Sequence, residues 1–126
     1  MELTNAINWF EIAAADFDRA KKFYESIFDC QMPENTMGPV KMGFFLYDFK
    51  SGKIGGAVCH GNGYTPSQQG SLVYLNGDPD LQTILNRVEN AGGKILQPKT
   101  LVSPEIGYVA FFSDTEGNKI ALHSRG

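Results

Sequence analysis

Apolar residues along this chain recur at two spacings, and the same switch between them happens twice. In residues 8–30, NWFEIAAADFDRAKKFYESIFDC, the aromatic and aliphatic run from Trp9 to Ala14 suits a strand. Asp16 or Asp18 then offers a side-chain acceptor for the unpaired N–H groups of a helix start. Beyond it Ala20, Phe23, Tyr24, Ile27 and Phe28 fall on one helical stripe, with Arg19, Lys21, Lys22 and Glu25 largely off it. The second passage, GSLVYLNGDPDLQTILNRVENAGG from Gly70, repeats the plan. SLVYL predicts a strand, Asp78 the cap, and Pro79 the first helical residue, where a missing N–H costs nothing. Leu81, Ile84, Leu85 and Val88 form the stripe, and Gly92 offers a left-handed stop.

The two passages can be overlaid. One shift pairs Trp9 with Ser71, Asp16 with Asp78 and Asp18 with Asp80. A slightly larger one pairs Asp48 with Asp114, Lys53 with Lys119 and Ile54 with Ile120, matching FFLYDFKSGKI to AFFSDTEGNKI. Each unit therefore reads as strand, helix, then about three strands joined by turns such as KSGK and TEGN. This predicts an α+β fold of two βαβββ modules. A strand, crossover helix and parallel strand bury one sheet face and leave the other concave, so two such sheets form a paired-sheet barrel or cleft. Clefts of that kind are where ligands usually sit.

Composition narrows the function classes. A chain of 126 residues, 42% hydrophobic and 20% charged, has the make-up of an ordinary globular domain and enough length for a sizeable core. The net charge of −3 and scattered cations argue against a nucleic-acid partner. No apolar run reaches membrane-spanning length, and the first ten residues lack the pattern of a secretory signal. These features predict no membrane partner and a cytoplasmic location. Cys30 and Cys59, without regular spacing, are expected to stay reduced.

The motifs FEI…D..RA..FY...F in the first unit and D.EGNKIAL near the end resemble the vicinal oxygen chelate superfamily. That group includes glyoxalase I, extradiol dioxygenases, fosfomycin resistance enzymes and bleomycin resistance proteins. The resemblance spans roughly residues 6 to 124 and implies one glyoxalase-like domain over 1–126, with module 1 about 6–62 and module 2 about 69–125. It also implies a homodimer. Metal-dependent members carry His or Glu ligands on the first and last strands of each unit, and the matching positions here are Trp9, Ser71, Gly55 and Ala121. None supplies the nitrogen, thiolate or carboxylate that zinc or iron requires. The expectation is a protein that binds a small organic molecule with no metal and no cofactor. The alternatives are a metal-dependent lyase or isomerase of glyoxalase I type, and a resistance protein that sequesters a drug.

Other side chains share the cleft-facing parity. Glu11 lies two residues beyond Trp9, and His123 two beyond Ala121. A carboxylate buried in the apolar frame WFEIAAA needs a donor partner or a raised pKa, the setting of a general base. Its other reading is a hydrogen bond that merely fixes register. His123 is the matching candidate for proton transfer or ligand contact, against a solvated strand end. Trp9 is expected as a stacking wall, Ser71 as a polar contact and Gly55 as backbone room for a ligand. Cys59 shares the parity of Gly55 and reads first as a structural thiol, with His60 directed the other way.

Overall fold

The computed structural model describes residues 5–126, leaving the side chain of Phe49 aside. In chain order the elements are β1 (Trp9–Ala13), α1 (Phe17–Phe28), β2 (Glu34–Met37), β3 (Val40–Phe44) and β4 (Gly55–His60), then β5 (Tyr74–Asn76), α2 (Leu81–Val88), β6 (Lys94–Ser103), β7 (Gly107–Ser113) and β8 (Lys119–Ser124). The strands form two four-stranded sheets, ordered β1-β4-β3-β2 and β5-β8-β7-β6. In each, the first strand of a module pairs parallel with its last, and the remaining pairs are antiparallel. The βαβββ plan is thus realised twice. The sheets remain open and do not close into a barrel, which leaves β1 and β5 as edge strands.

Helix α1 starts at Asp16, whose side chain accepts the Arg19 N–H, and buries Phe17, Ala20, Phe23, Tyr24 and Ile27. The second helix begins later than the sequence suggested. Asp80 caps α2 by accepting from Gln82 N, and Pro79 follows a cis peptide outside the helix. The predicted stripe Leu81, Ile84, Leu85 and Val88 is buried as expected. The preceding strand is also shorter than SLVYL, because backbone pairing with β8 runs only over Tyr74–Asn76. Ser71 therefore lies outside β5, and the residue facing Ala121 across the ladder is Tyr74. Pairing Asp16 with Asp78 misplaces these positions because Asp80, not Asp78, is the cap of α2.

One core joins both modules. Ile12, Phe23, Tyr24, Ile27 and Val58 from the first pack with Leu75, Leu85, Ala110, Phe112 and Leu122 from the second. Edge-to-face and tilted ring contacts run through it, Phe23 to Tyr24 at 5.0 Å and Phe23 to Phe112 at 5.8 Å.

Polar bonds fix how the modules meet, and they come from the D.EGN turn between β7 and β8. Asp114 Oδ1 accepts the N–H groups of Glu116 and Asn118, while Gly117 supplies the left-handed backbone at φ 93°. Across the module boundary Tyr24 donates to Asp114 Oδ2 at 2.6 Å, and Asn118 Nδ2 donates to the Ala13 carbonyl at 2.7 Å. Glu116 accepts from the Asp16 N–H and from two guanidinium nitrogens of Arg19. Burial alone raises the Glu116 pKa, but Arg19, the Asp16 N–H and Thr115 outweigh it and hold it below the usual value.

Candidate functional site

Side-chain alternation puts Trp9, Glu11 and Ala13 of β1 on the sheet face turned away from the helices, beside Gly55, Ala57 and Cys59 of β4. From β3, Val40, Met42 and Phe44 join them, and the loop residue Tyr64 packs over the group. The Trp9 ring meets Phe44 edge-on at 6.1 Å and Tyr47 at 6.2 Å. The Tyr47 ring also occupies the space a side chain at position 55 would need, so only glycine fits there. The glycine thus makes room for an aromatic ring of the chain itself.

Glu11 is exposed, not buried as its apolar neighbours in sequence suggested, because β1 is an edge strand and the carboxylate reaches solvent. It does have the expected donor: Tyr64 Oη donates to Oε1 at 2.8 Å. That bond, followed by partial burial, pushes the Tyr64 phenol up to about 12. Burial first and the Glu11 charge second push the Cys59 thiol up to about 12, so it is a neutral, unreactive thiol at pH 7. His60 points away, its Nδ1 2.8 Å from the Ala14 carbonyl oxygen.

On the corresponding face of the second sheet, Tyr74 and Phe111 flank Ala121, with ring centroids 6.2 Å apart. Lys119 Nζ sits 4.9 Å from the Phe111 centroid. His123 Nε2 lies 2.6 Å from the Ile106 carbonyl oxygen. A carbonyl only accepts, so that nitrogen carries the proton and Nδ1 is left open. His123 belongs to a shallow depression of about 560 Å³ with Val102, Ile106, Val109 and Arg125. Glu11 and His123 thus sit in different sheets with different partners, and no hydrogen bond joins them.

Between the two sheet edges lies a larger cavity of about 710 Å³. Phe10, Phe28, Phe45 and Ile54 line it from the first module, and Val73, Tyr74 and Leu75 from the second. Gly55, Tyr47 and Ser71 also border it, and Asn76 and Asp78 supply polar groups at the β5 side. Volume and lining suit a small organic ligand, since such pockets run to about 300–1,000 Å³ and are mostly apolar.

The residues present do not fit the metal that the resemblance implies. With the strand register corrected, the relevant positions are Trp9, Gly55, Tyr74 and Ala121: an indole, a hydrogen, a phenol and a methyl group. Among the described residues no three His, Cys, Asp or Glu side chains gather into a donor set. Sequence reasoning missed Tyr47, Tyr64 and Tyr74 as site residues. Tyr47 and Tyr64 lie in loops, where no periodicity reports which face a ring covers, and Tyr74 was hidden by the misplaced strand.

The Glyoxalase/Bleomycin resistance protein/Dioxygenase superfamily model matches residues 6–122. A glyoxylase-like domain-containing protein of Didymella fabae is 34% identical over 128 aligned positions, covering 99% of this chain and 98% of its own. Among solved structures, a glyoxalase/bleomycin resistance protein from Albidiferax ferrireducens T118 superposes with a TM-score of 0.71 at 17% identity, covering 97% of this chain and all of that one. A glyoxalase I mutant from Zea mays gives a TM-score of 0.68 at 18% identity over 94% of this chain, which spans only 45% of the maize protein. No helix among the described residues is long and apolar enough to cross a membrane.

Proposed function

We propose that this chain, a member of the Glyoxalase/Bleomycin resistance protein/Dioxygenase superfamily, binds a small, largely apolar organic molecule in the cavity between its sheets without a divalent metal. The observation that carries this is the 710 Å³ cavity, walled by aromatic and aliphatic side chains of both modules. Trp9 backs Tyr47 at its rim, and Ser71, Asn76 and Asp78 supply the polar contacts that would orient a ligand. A metal-dependent lyase or isomerase of glyoxalase I type is the competing reading, and the donor chemistry at Trp9, Gly55, Tyr74 and Ala121 argues against it.

The same proposal places the chain in the cytoplasm as a homodimer. Free Cys30 and Cys59 support the former. The exposed Leu101, Val102 and Ile106 support the latter, to be checked by light scattering of the purified protein.

The cavity reading is tested with the neutral fluorescent probe N-phenyl-1-naphthylamine. Wild type should bind it saturably, and Ser71→Phe, which fills the cavity rim from an exposed position, should weaken binding by about tenfold, or ~1.4 kcal/mol. Unchanged binding in a folded Ser71→Phe protein would place the probe elsewhere and remove the support for this cavity.

A further inference from the structure

We infer that the helix-free face of the first sheet is a separate seat for an organic cation, an amine or quaternary ammonium group, held between the Glu11 carboxylate and the Trp9 ring. Glu11 is an exposed acid on a face it shares with Trp9, Val40, Met42, Phe44, Ala57 and Cys59. None of the five ion pairs among the described residues includes it, although Glu25, Glu34, Asp18, Asp80 and Glu116 all have cationic partners. Its neighbours cannot supply the charge. Tyr64 and Cys59 are neutral at pH 7, and Lys41, on the strand beside β4, is turned to the opposite face over the Phe17 ring at 4.8 Å.

Spacing makes Glu11 and Trp9 act together. They are two residues apart on one strand face, so their side chains stand about 6–7 Å apart. A cation at ion-pair distance from the carboxylate can therefore lie within the ~6 Å of an aromatic centroid at which a ring attracts it, with tryptophan the strongest such partner. Phe44 packs edge-on against the indole and holds it in place, while Tyr64 fixes one carboxylate oxygen, so both groups are set before a ligand arrives. The competing explanation is that an inward-pointing charge on an edge strand discourages strand-to-strand association. That role needs no cation and no adjacent indole.

Trp9 is the only tryptophan in the chain, so its fluorescence follows ligands that approach this face, and the contrast between a cation and its neutral isostere separates them from ligands in the cavity behind Tyr47. The probes are choline and its neutral isostere 3,3-dimethylbutan-1-ol. Wild type should respond saturably to choline and bind it about tenfold more tightly than the alcohol, with the difference shrinking as salt is added. Glu11→Gln should erase the preference and leave N-phenyl-1-naphthylamine binding in the inter-sheet cavity intact, whereas Tyr64→Phe, which keeps the charge, should retain the preference. Equal binding of the two probes to wild type, no saturable response, or a preference that survives Glu11→Gln would each overturn the proposal. Failure here leaves the cavity reading untouched, because that probe is neutral and its cavity does not include Glu11.

Discussion

Replacing Tyr24 with phenylalanine deletes one oxygen and leaves a ring of the same shape in the same place. That oxygen is fully buried and donates at 2.6 Å to Asp114 Oδ2, itself within a side chain only 5% exposed. The Asp114 carboxylate takes three further donors, the N–H groups of Glu116 and Asn118 and the Asn118 amide, so the mutation removes one of four and leaves the charge partly satisfied. Hydrogen bonds to charged groups contribute about 1.5–3 kcal/mol, and the ring contacts to Phe23 and Phe45 persist. For a chain of this length that corresponds to a fall in Tm of about 6–11 °C, measured by calorimetry at pH 7.

The pH dependence provides a second readout. Burial first, then the Asp114 charge, pushes the Tyr24 phenol well above its ordinary value. A group whose folded value is raised contributes fully below its unfolded value, about 10 for tyrosine, and loses that contribution as pH climbs toward the folded value. The stability gap between wild type and Tyr24→Phe should therefore hold steady to about pH 10 and narrow above it. A loss below about 0.5 kcal/mol, the range of an ordinary surface change, would refute the claim that this bond ties α1 to the second sheet.

Further outcomes follow from other positions. Gly107→Ala should cost about 1–3 kcal/mol in denaturant unfolding, because φ is 100° there and a Cβ would overlap the Ser124 carbonyl. In native protein at pH 8, a disulfide reagent should label partly exposed Cys30 well before buried Cys59, and equal rates would contradict the packing under Tyr64. Asp80→Ala should lower thermal stability at neutral pH. Lys99 first and the Gln82 N–H second hold the Asp80 carboxyl below its ordinary value, so its contribution is present above about pH 4 and the gap between variant and wild type should close as pH falls further.

Much of the fold was legible because helix stripes and caps are local. Phe23, Tyr24 and Ile27, and Leu81, Leu85 and Val88, are buried where spacing put them, and of the candidates Asp16 and Asp18 it is Asp16 that caps. The α+β plan of two βαβββ modules followed from the repeated switch of period. Register was the weak point. By sequence Asp78 is the expected cap of the second helix, whereas Asp80 serves, and two aspartates so close together look alike to a local pattern. That error of alignment carried Ser71 into a place that Tyr74 occupies. The layout of the candidate site was half legible for a similar reason. Parity put Trp9, Glu11, Gly55 and Cys59 on one face, but contacts such as Tyr64 on Glu11 cross 53 residues of chain, a separation no local pattern encodes. Exposure was misjudged at Glu11 because its apolar flanks in sequence do not show that β1 is an edge strand.

The central claim is that this member of the family replaces coordinating side chains with aromatic and small ones and binds its ligand by apolar enclosure. The most direct measurement is titration of purified protein with N-phenyl-1-naphthylamine before and after exhaustive treatment with EDTA, alongside elemental analysis of the same samples. Binding of equal affinity in both states, in protein without stoichiometric divalent metal, is the predicted result. Binding that disappears on chelation and returns with added zinc or nickel would contradict it.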